Sequence, residues 1–243
     1  MIELFAGWDA REEAGFHVFC RSVLARASVP VRITPVGAFG GPQGTNEFTY
    51  SRFMVPQLMG HKGHAIFMDG SDMLVRDDIA ELDRLFDPSF AVQVVKHPTY
   101  KTRHKVKYIG TSMECPNTNY ARKNWASAML INCEHEAWRS VPEGLDALQL
   151  RFIPDELIGD LPDTWNRLVD EGHEPGSVCH WTAGVPAFKH YATAPNADLW
   201  HAEAAAMMAM AVGQPHAERY AHERQGTNPG PGDINHPASA RAA

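Results

Sequence analysis

The feature that most constrains this chain is its alternation of short apolar runs with segments of helical periodicity. Residues 2–6, Ile-Glu-Leu-Phe-Ala, form an apolar run closed by Gly7. Residues 10–27 place Phe16, Phe19, Cys20, Val23 and Ala27 at three- and four-residue spacing, the pattern of one buried helix face. Pro30 interrupts, and Val31–Val36 reads as a second strand. The stretch 37–47, rich in Gly and holding Pro42 and Asn46, is a loop. Residues 49–59 suit a helix despite Pro56, and His64–Met68 a short strand. Asp78 can cap a helix on which Ile79, Leu82 and Leu85 share a face. Residues 90–95 and 128–133 read as further buried strands. Strands and helices alternating at this spacing predict an α/β domain with a mostly parallel sheet flanked by helices. Residues 196–212 suit a C-terminal helix. Residues 213–243 turn to Pro, Gly, Asn, His and Ala, and suit a mobile tail.

Composition narrows the function classes. The 243 residues are 44% hydrophobic and 21% charged, ordinary for a soluble globular domain. A net charge of −7 argues against a general nucleic-acid coat protein. Glu3 and Asp9 stand where an export signal would be basic and then apolar. The longest apolar run, residues 204–212, is about half of a bilayer span. The expectation is therefore a protein without an export signal or membrane span. Cys20, Cys115, Cys133 and Cys179 include no Cys-x-x-Cys pair, which fits a reducing cytoplasm and not a zinc ribbon. No Gly-x-Gly-x-x-Gly follows the first strand, which disfavours a dinucleotide-binding dehydrogenase.

The segment with the most chemistry is Ala-Ile-Phe-Met-Asp-Gly-Ser-Asp-Met-Leu-Val at residues 65–75. An apolar strand delivers Asp69 and Asp72 at its carboxyl end, where ligand sites of open α/β sheets lie. Hard divalent cations take carboxylate oxygens and bridge them to substrate phosphates. By itself the pattern also suits a turn with two solvated acids.

Residues 67–82 resemble the Asp-x-Asp region of GT-A glycosyltransferases, most of all glycosyltransferase family eight and its bacterial and phage relatives. Other segments are similar in the same order: residues 2–12, the first strand and nucleotide loop; Tyr50-Ser51-Arg52-Phe53 with Pro56; Ala-Met-Leu-Ile-Asn at 128–132; Leu-Pro-Asp-Thr-Trp-Asn at 161–166; and His-Trp-Thr-Ala-Gly at 180–184. The resemblance spans residues 1–195, the expected GT-A (Rossmann-like) single domain. It implies a glycosyltransferase that moves a sugar from a nucleoside diphosphate sugar, a UDP-sugar in the first instance, with retention of configuration. It implies Mn²⁺ or Mg²⁺ held by Asp69, Asp72 and His180, a donor site drawing on Ala6, Gly7, Trp8, Arg11, Tyr50, Arg52, Gly70, Ser71, Lys96, Lys101, Gly184 and Lys189, and an acceptor side at Trp125, Trp165 and Asn166. Asp155, Glu156 and Asn132 are the oxygens expected to stabilise the cationic sugar. Trp165 suits the core equally well. The chain departs from the family in having two residues between its acids, in Trp125-Ala126-Ser127 before the fifth-strand segment, and in lacking the Lys-Pro-Trp ending.

Residues 96–107 carry five fixed positive charges, Lys96, Lys101, Arg103, Lys105 and Lys107, and no acid. A solvated basic loop, a lid neutralising a diphosphate leaving group, or a contact with a polyanionic acceptor each fits. The lid is favoured because the tract lies just past the acids and the next strand. The acceptor stays open among a glycan, a small molecule and a modified DNA base. A nucleotide-sugar hydrolase or an inactive binding module on the same fold is the alternative.

Overall fold

Alternating side chains on the strands explain the layers that form. The computed structural model describes residues 1–38 and 44–211. Its elements run β1 (Ile2–Gly7), α1 (Glu13–Leu24), β2 (Val31–Val36), α2 (Val55–Leu58), β3 (His64–Met68), β4 (Met73–Val75), α3 (Ile79–Asp83), β5 (Val92–Val94), β6 (Val106–Lys107), β7 (Cys115–Pro116), β8 (Ala128–Asn132), α4 (Leu145–Leu148), β9 (Ile158–Asp160), β10 (Arg167–Leu168), β11 (Val178–His180) and α5 (Ala197–Ala211). Leu4, Ile66 and Leu130 face one core with Phe16, Phe19 and Val23 of α1. Phe5, Phe67, Met129 and Ile131 face the other, with Phe53, Trp138 and Leu150. Strand residues of one parity thus meet α1, and those of the other meet the opposite layer.

The central sheet has the order β2-β1-β3-β8-β5-β9. β1 lies parallel to β2 and β3, and β5 parallel to β9. β8 runs antiparallel between β3 and β5. The sheet is mostly parallel as predicted, with this one reversed strand. The reversal sets Ala128 beside Met68 and Asn132 beside His64. A small sheet, β10-β11-β4, stands next to it, and β6 and β7 form a hairpin.

Several predicted helices are shorter than their periodicity. Residues 49–59 become a 3-10 turn over Ser51–Met54 and the short α2, with Pro56 in its first turn, where a missing N–H costs little. Asp78 caps α3 by accepting from the Ala80 N–H at 3.0 Å. α3 ends at Asp83, so Leu85 is exposed rather than part of its buried face. Residues 1–204 form one compact unit. The last described residues, 205–211, are helical. The expected tail at 213–243 and part of the 37–47 loop lie outside the described residues. Among the described residues no helix is long and apolar enough to cross a membrane.

Candidate active site

The turn after β3 is pressed between the end of β1 and the start of α1. Gly70 sits at φ +83, and a Cβ there would lie 2.9 Å from the Gly7 carbonyl oxygen. A Cβ on Gly15 of α1 would lie 2.3 Å from the Ser71 carbonyl oxygen. Glycine is needed at both positions, by conformation at the first and by close approach at the second. The Met73 N–H closes the turn on the Gly70 carbonyl at 2.8 Å. β4 then pairs with β11, which sets His180 opposite Met73. The Trp181 N–H donates to the Asp72 carbonyl at 2.9 Å. With two residues between them, Asp69 and Asp72 still converge. One ligand atom each from Asp69, Asp72 and His180 lies within 4.8 Å of the others.

The electrostatics suit a cation. His180 Nε2 is 3.4 Å from Asp72 Oδ2. Burial works to raise the Asp72 pKa, but His180 overrides it and holds the carboxyl below its ordinary value. Burial likewise opposes the charged His180, yet Asp72 and Asp69 lift its pKa above the usual imidazole value. Burial pushes Asp69 up to about 6, against the pull of Arg52. Arg52 donates to Asp69 Oδ1 at 2.5 Å and to the Ala126 carbonyl at 2.7 Å. Its guanidinium lies 5.4 Å and 5.2 Å from the ring centroids of Phe48 and Phe67. His180 Nδ1 meets Asn166 Oδ1 at 2.9 Å, while Asn166 Nδ2 donates to Ser127 Oγ at 2.9 Å and to the Asn124 carbonyl at 3.2 Å. Asn166, anchored this way, accepts the Nδ1 proton and turns Nε2 toward the acids, to donate to Asp72 when protonated and to present a lone pair to a metal when not. Asp72 Oδ1 is buried with no hydrogen-bond partner. Two carboxylates, one imidazole and an orphaned carboxylate oxygen fit Mn²⁺ well and Mg²⁺ less well.

The acids open into a cavity of about 260 Å³ that also takes in Arg52, Lys107, Tyr108, Asn117 and Lys123. Behind it, Glu12 is buried and accepts from Asn46 Nδ2. Asn46 Nδ2 also donates to the Tyr108 hydroxyl at 3.0 Å. Burial, then the nearby Asp72 and Asp9, push the Glu12 pKa to about 8.

The structure gathers some of the expected residues and disperses others. Tyr50 and Arg52 line the cavity. Ala6 is core, Gly7 packs on Phe48, and Trp8 is half-buried against the α1 layer. Ser71 is buried, and its hydroxyl has no partner. Arg11 is spent on a bidentate pair with Asp9. Trp165 lies in the core, as its alternative reading had it. Asn166 is fully buried and orients His180 instead of facing an acceptor. Asn132 lies at the opposite end of β3 from Asp69 because β8 is reversed, and its amide is held by the Pro88 and Phe90 carbonyls. Asp155 is exposed and paired with Arg122, and Glu156 is exposed. Trp125 carries Arg122 and Lys96 over its ring, at 5.1 Å and 5.8 Å. Lys96 pairs with Asp160 at 3.2 Å. Lys101 and Lys189 are exposed, and Gly184 packs on Tyr191.

Among the described residues, Lys107 is the one cation of the 96–107 tract that lines the cavity. The tract's acid partner comes from elsewhere: Glu171 accepts from the Tyr100 hydroxyl at 2.8 Å, the Thr102 hydroxyl at 2.5 Å and the Arg103 N–H at 3.0 Å. Sequence reasoning passes over Glu12 and Lys123. Glu12, in the first turn of a helical segment, carries the signal of a solvated acid. Lys123 lies in an irregular stretch with no periodicity to read.

No protein-family model matches the chain. The Arabidopsis thaliana protein CDI is 34% identical over 227 residues, covering 82% of this chain and 84% of that protein. Among solved structures, the galactosyltransferase LgtC in complex with donor and acceptor sugar analogs is similar at a TM-score of 0.59 and 15% identity, covering 90% of this chain and 99% of that one. The glycosyltransferase GlyE of Streptococcus pneumoniae is similar at 0.57 and 14% identity, covering 84% of this chain and 60% of that one. The bifunctional glycosyltransferase WbbM is similar at 0.59 and 14% identity, covering 84% and 49%. These likenesses give the fold, which is GT-A, as the sequence motifs imply.

Proposed function

Since the chain belongs to the family of the Arabidopsis thaliana protein CDI and carries its polar cavity on a GT-A fold, we propose that it is a metal-dependent glycosyltransferase. It moves a sugar from a nucleoside diphosphate sugar, a UDP-sugar in the first instance, to an acceptor, with retention of configuration. The observation that carries this reading is the convergence of Asp69, Asp72 and His180, with both acids lining the cavity.

A divalent ion held by these three residues supplies the positive charge that a departing diphosphate needs. The protein's own groups prepare the rest. Arg52 fixes the Asp69 carboxylate, and Asn166 fixes the His180 tautomer. Lys107 sets a further cation against the diphosphate. Tyr50, which lines the cavity, offers a ring to the base. No residue of the site is assigned as a nucleophile. Four free cysteines suit the reducing cytoplasm as the place of the reaction.

A thermal-shift panel of nucleoside diphosphate sugars, with and without Mn²⁺, tests the reading. A ligand at about one hundred times its Kd stabilises the fold by about 2.7 kcal/mol. At least one sugar nucleotide should raise the midpoint by several degrees, and only with Mn²⁺ present. A panel in which none does so overturns the proposal. Sugar release without acceptor would instead identify a hydrolase.

A further inference from the structure

The wall of the cavity formed by residues 117–124 holds a buried cation that the site does not use. Lys123 is 7% exposed and lines the cavity. Its ammonium donates to Asn117 Oδ1 at 2.5 Å and to the Thr118 carbonyl at 2.7 Å, and lies 5.3 Å from the Tyr120 ring centroid. All three partners are neutral. Among the described hydrogen bonds of Lys123 none goes to a carboxylate, and Glu171, the acid that acts on it from a distance, is engaged by Tyr100, Thr102 and Arg103; buried charges are ordinarily paired. Burial, and then Lys107, lower its pKa to about 8, which leaves it mostly charged at neutral pH. Lys123 also stands between Arg122 and Asn124, held at φ 57 and 66. Left-handed non-glycine residues are costly and gather at functional sites.

A charge count over the cavity shows what is missing. Asp69 and Asp72 are offset by the divalent ion of the proposed function, on which this step rests. The diphosphate is a dianion, offset by Arg52 and Lys107. Glu12 is not part of the cavity lining and is held by Asn46 behind it. One cation, Lys123, is left over. We propose that Lys123 is the centre of a subsite for an anionic group, a carboxylate or a phosphate, borne by one of the two sugar substrates. An ordinary neutral hexose on both sides would leave this ammonium buried and uncompensated.

Calorimetric titration of the full chain with Mn²⁺ separates the two sources. The donor arm compares UDP-glucuronate with UDP-glucose. The acceptor arm compares glucose 6-phosphate and glucuronate with glucose, in the presence of UDP. One arm should favour its anionic member by at least about tenfold, the worth of one charge-assisted contact. Lys123→Gln, which keeps a donor for the Thr118 carbonyl but no charge, should erase that preference. Should that variant fail to fold, Lys123→Arg should retain the preference. No anionic preference in either arm, or a preference that survives Lys123→Gln, overturns the inference. If UDP itself does not bind, the proposed function falls separately. Glucose 6-phosphate and glucose titrated without nucleotide then decide the subsite: a Lys123-dependent preference sustains it, and equal binding removes it.

Discussion

A buried acid that nothing in the sequence singles out has a measurable signature. Glu12 accepts from Asn46 behind the proposed metal ligands, and its other oxygen, Oε1, has no partner. Its pKa is pushed from 4.5 to about 8 in the folded chain. Between those two values the folded state binds more protons than the unfolded state. Stability therefore falls as pH rises through that window, and the contribution is fully present only below it. Glu12→Gln removes this dependence. Its unfolding midpoint, measured against the wild type, should gain steadily from about pH 5 to about pH 8. A constant offset across that range would show that Glu12 keeps its ordinary pKa. Residue-scale reading of the sequence reached Asp69 and Asp72 because an apolar strand ends on them. His180 and Asn166 are legible only through family motifs, which imply an acceptor role for Asn166. Only the fold shows that it meets the His180 ring nitrogen, since the two are fourteen positions apart and joined through β10 and β11.

At the scale of elements, the site depends on how closely α1 approaches the loop carrying the acids. Gly15 has no room for a methyl group against the Ser71 backbone. Gly15→Ala should destabilise the fold by about 1–3 kcal/mol, as overpacking does, and should weaken Mn²⁺ binding as the acid loop shifts. Urea unfolding and metal titration measure the two effects, and an unchanged protein would mean that α1 and the loop separate freely. The 96–107 tract is an element whose parts now divide. Lys107 lines the cavity, whereas Lys101, Arg103 and Lys105 are exposed. Lys107→Gln should weaken UDP binding by about tenfold or more. Neutralising Lys101, Arg103 and Lys105 together should change it little. The reverse outcome would restore the whole tract as a lid.

Over the whole molecule, the alternation of strand and helix was legible because the inner strands of the central sheet are buried on both faces. Val92–Val94 and Ala128–Asn132 show this as unbroken burial. Strand direction was not legible, since apolar runs look alike read either way, and the reversal of β8 is what moved Asn132 away from the acids. Periodicity overstates helix length over 49–59, which becomes a 3-10 turn and the short α2. The polar interior was the least legible part. Glu12, Asn46 and Lys123 are polar residues in segments that carry the pattern of surface, and burial of such groups follows from tertiary packing alone.

The central claim is that Asp69, Asp72 and His180 form one metal site that binds the donor diphosphate. It is tested most directly by calorimetric titration of UDP into the full chain with Mn²⁺, with chelator, and in Asp72→Asn. The account predicts saturable binding with Mn²⁺, none with chelator, and a loss of at least about a hundredfold in Asp72→Asn, with the variant still folded. That loss corresponds to about 2.7 kcal/mol, within the cost of breaking a buried charged contact. UDP binding that is equal in all three conditions would contradict it.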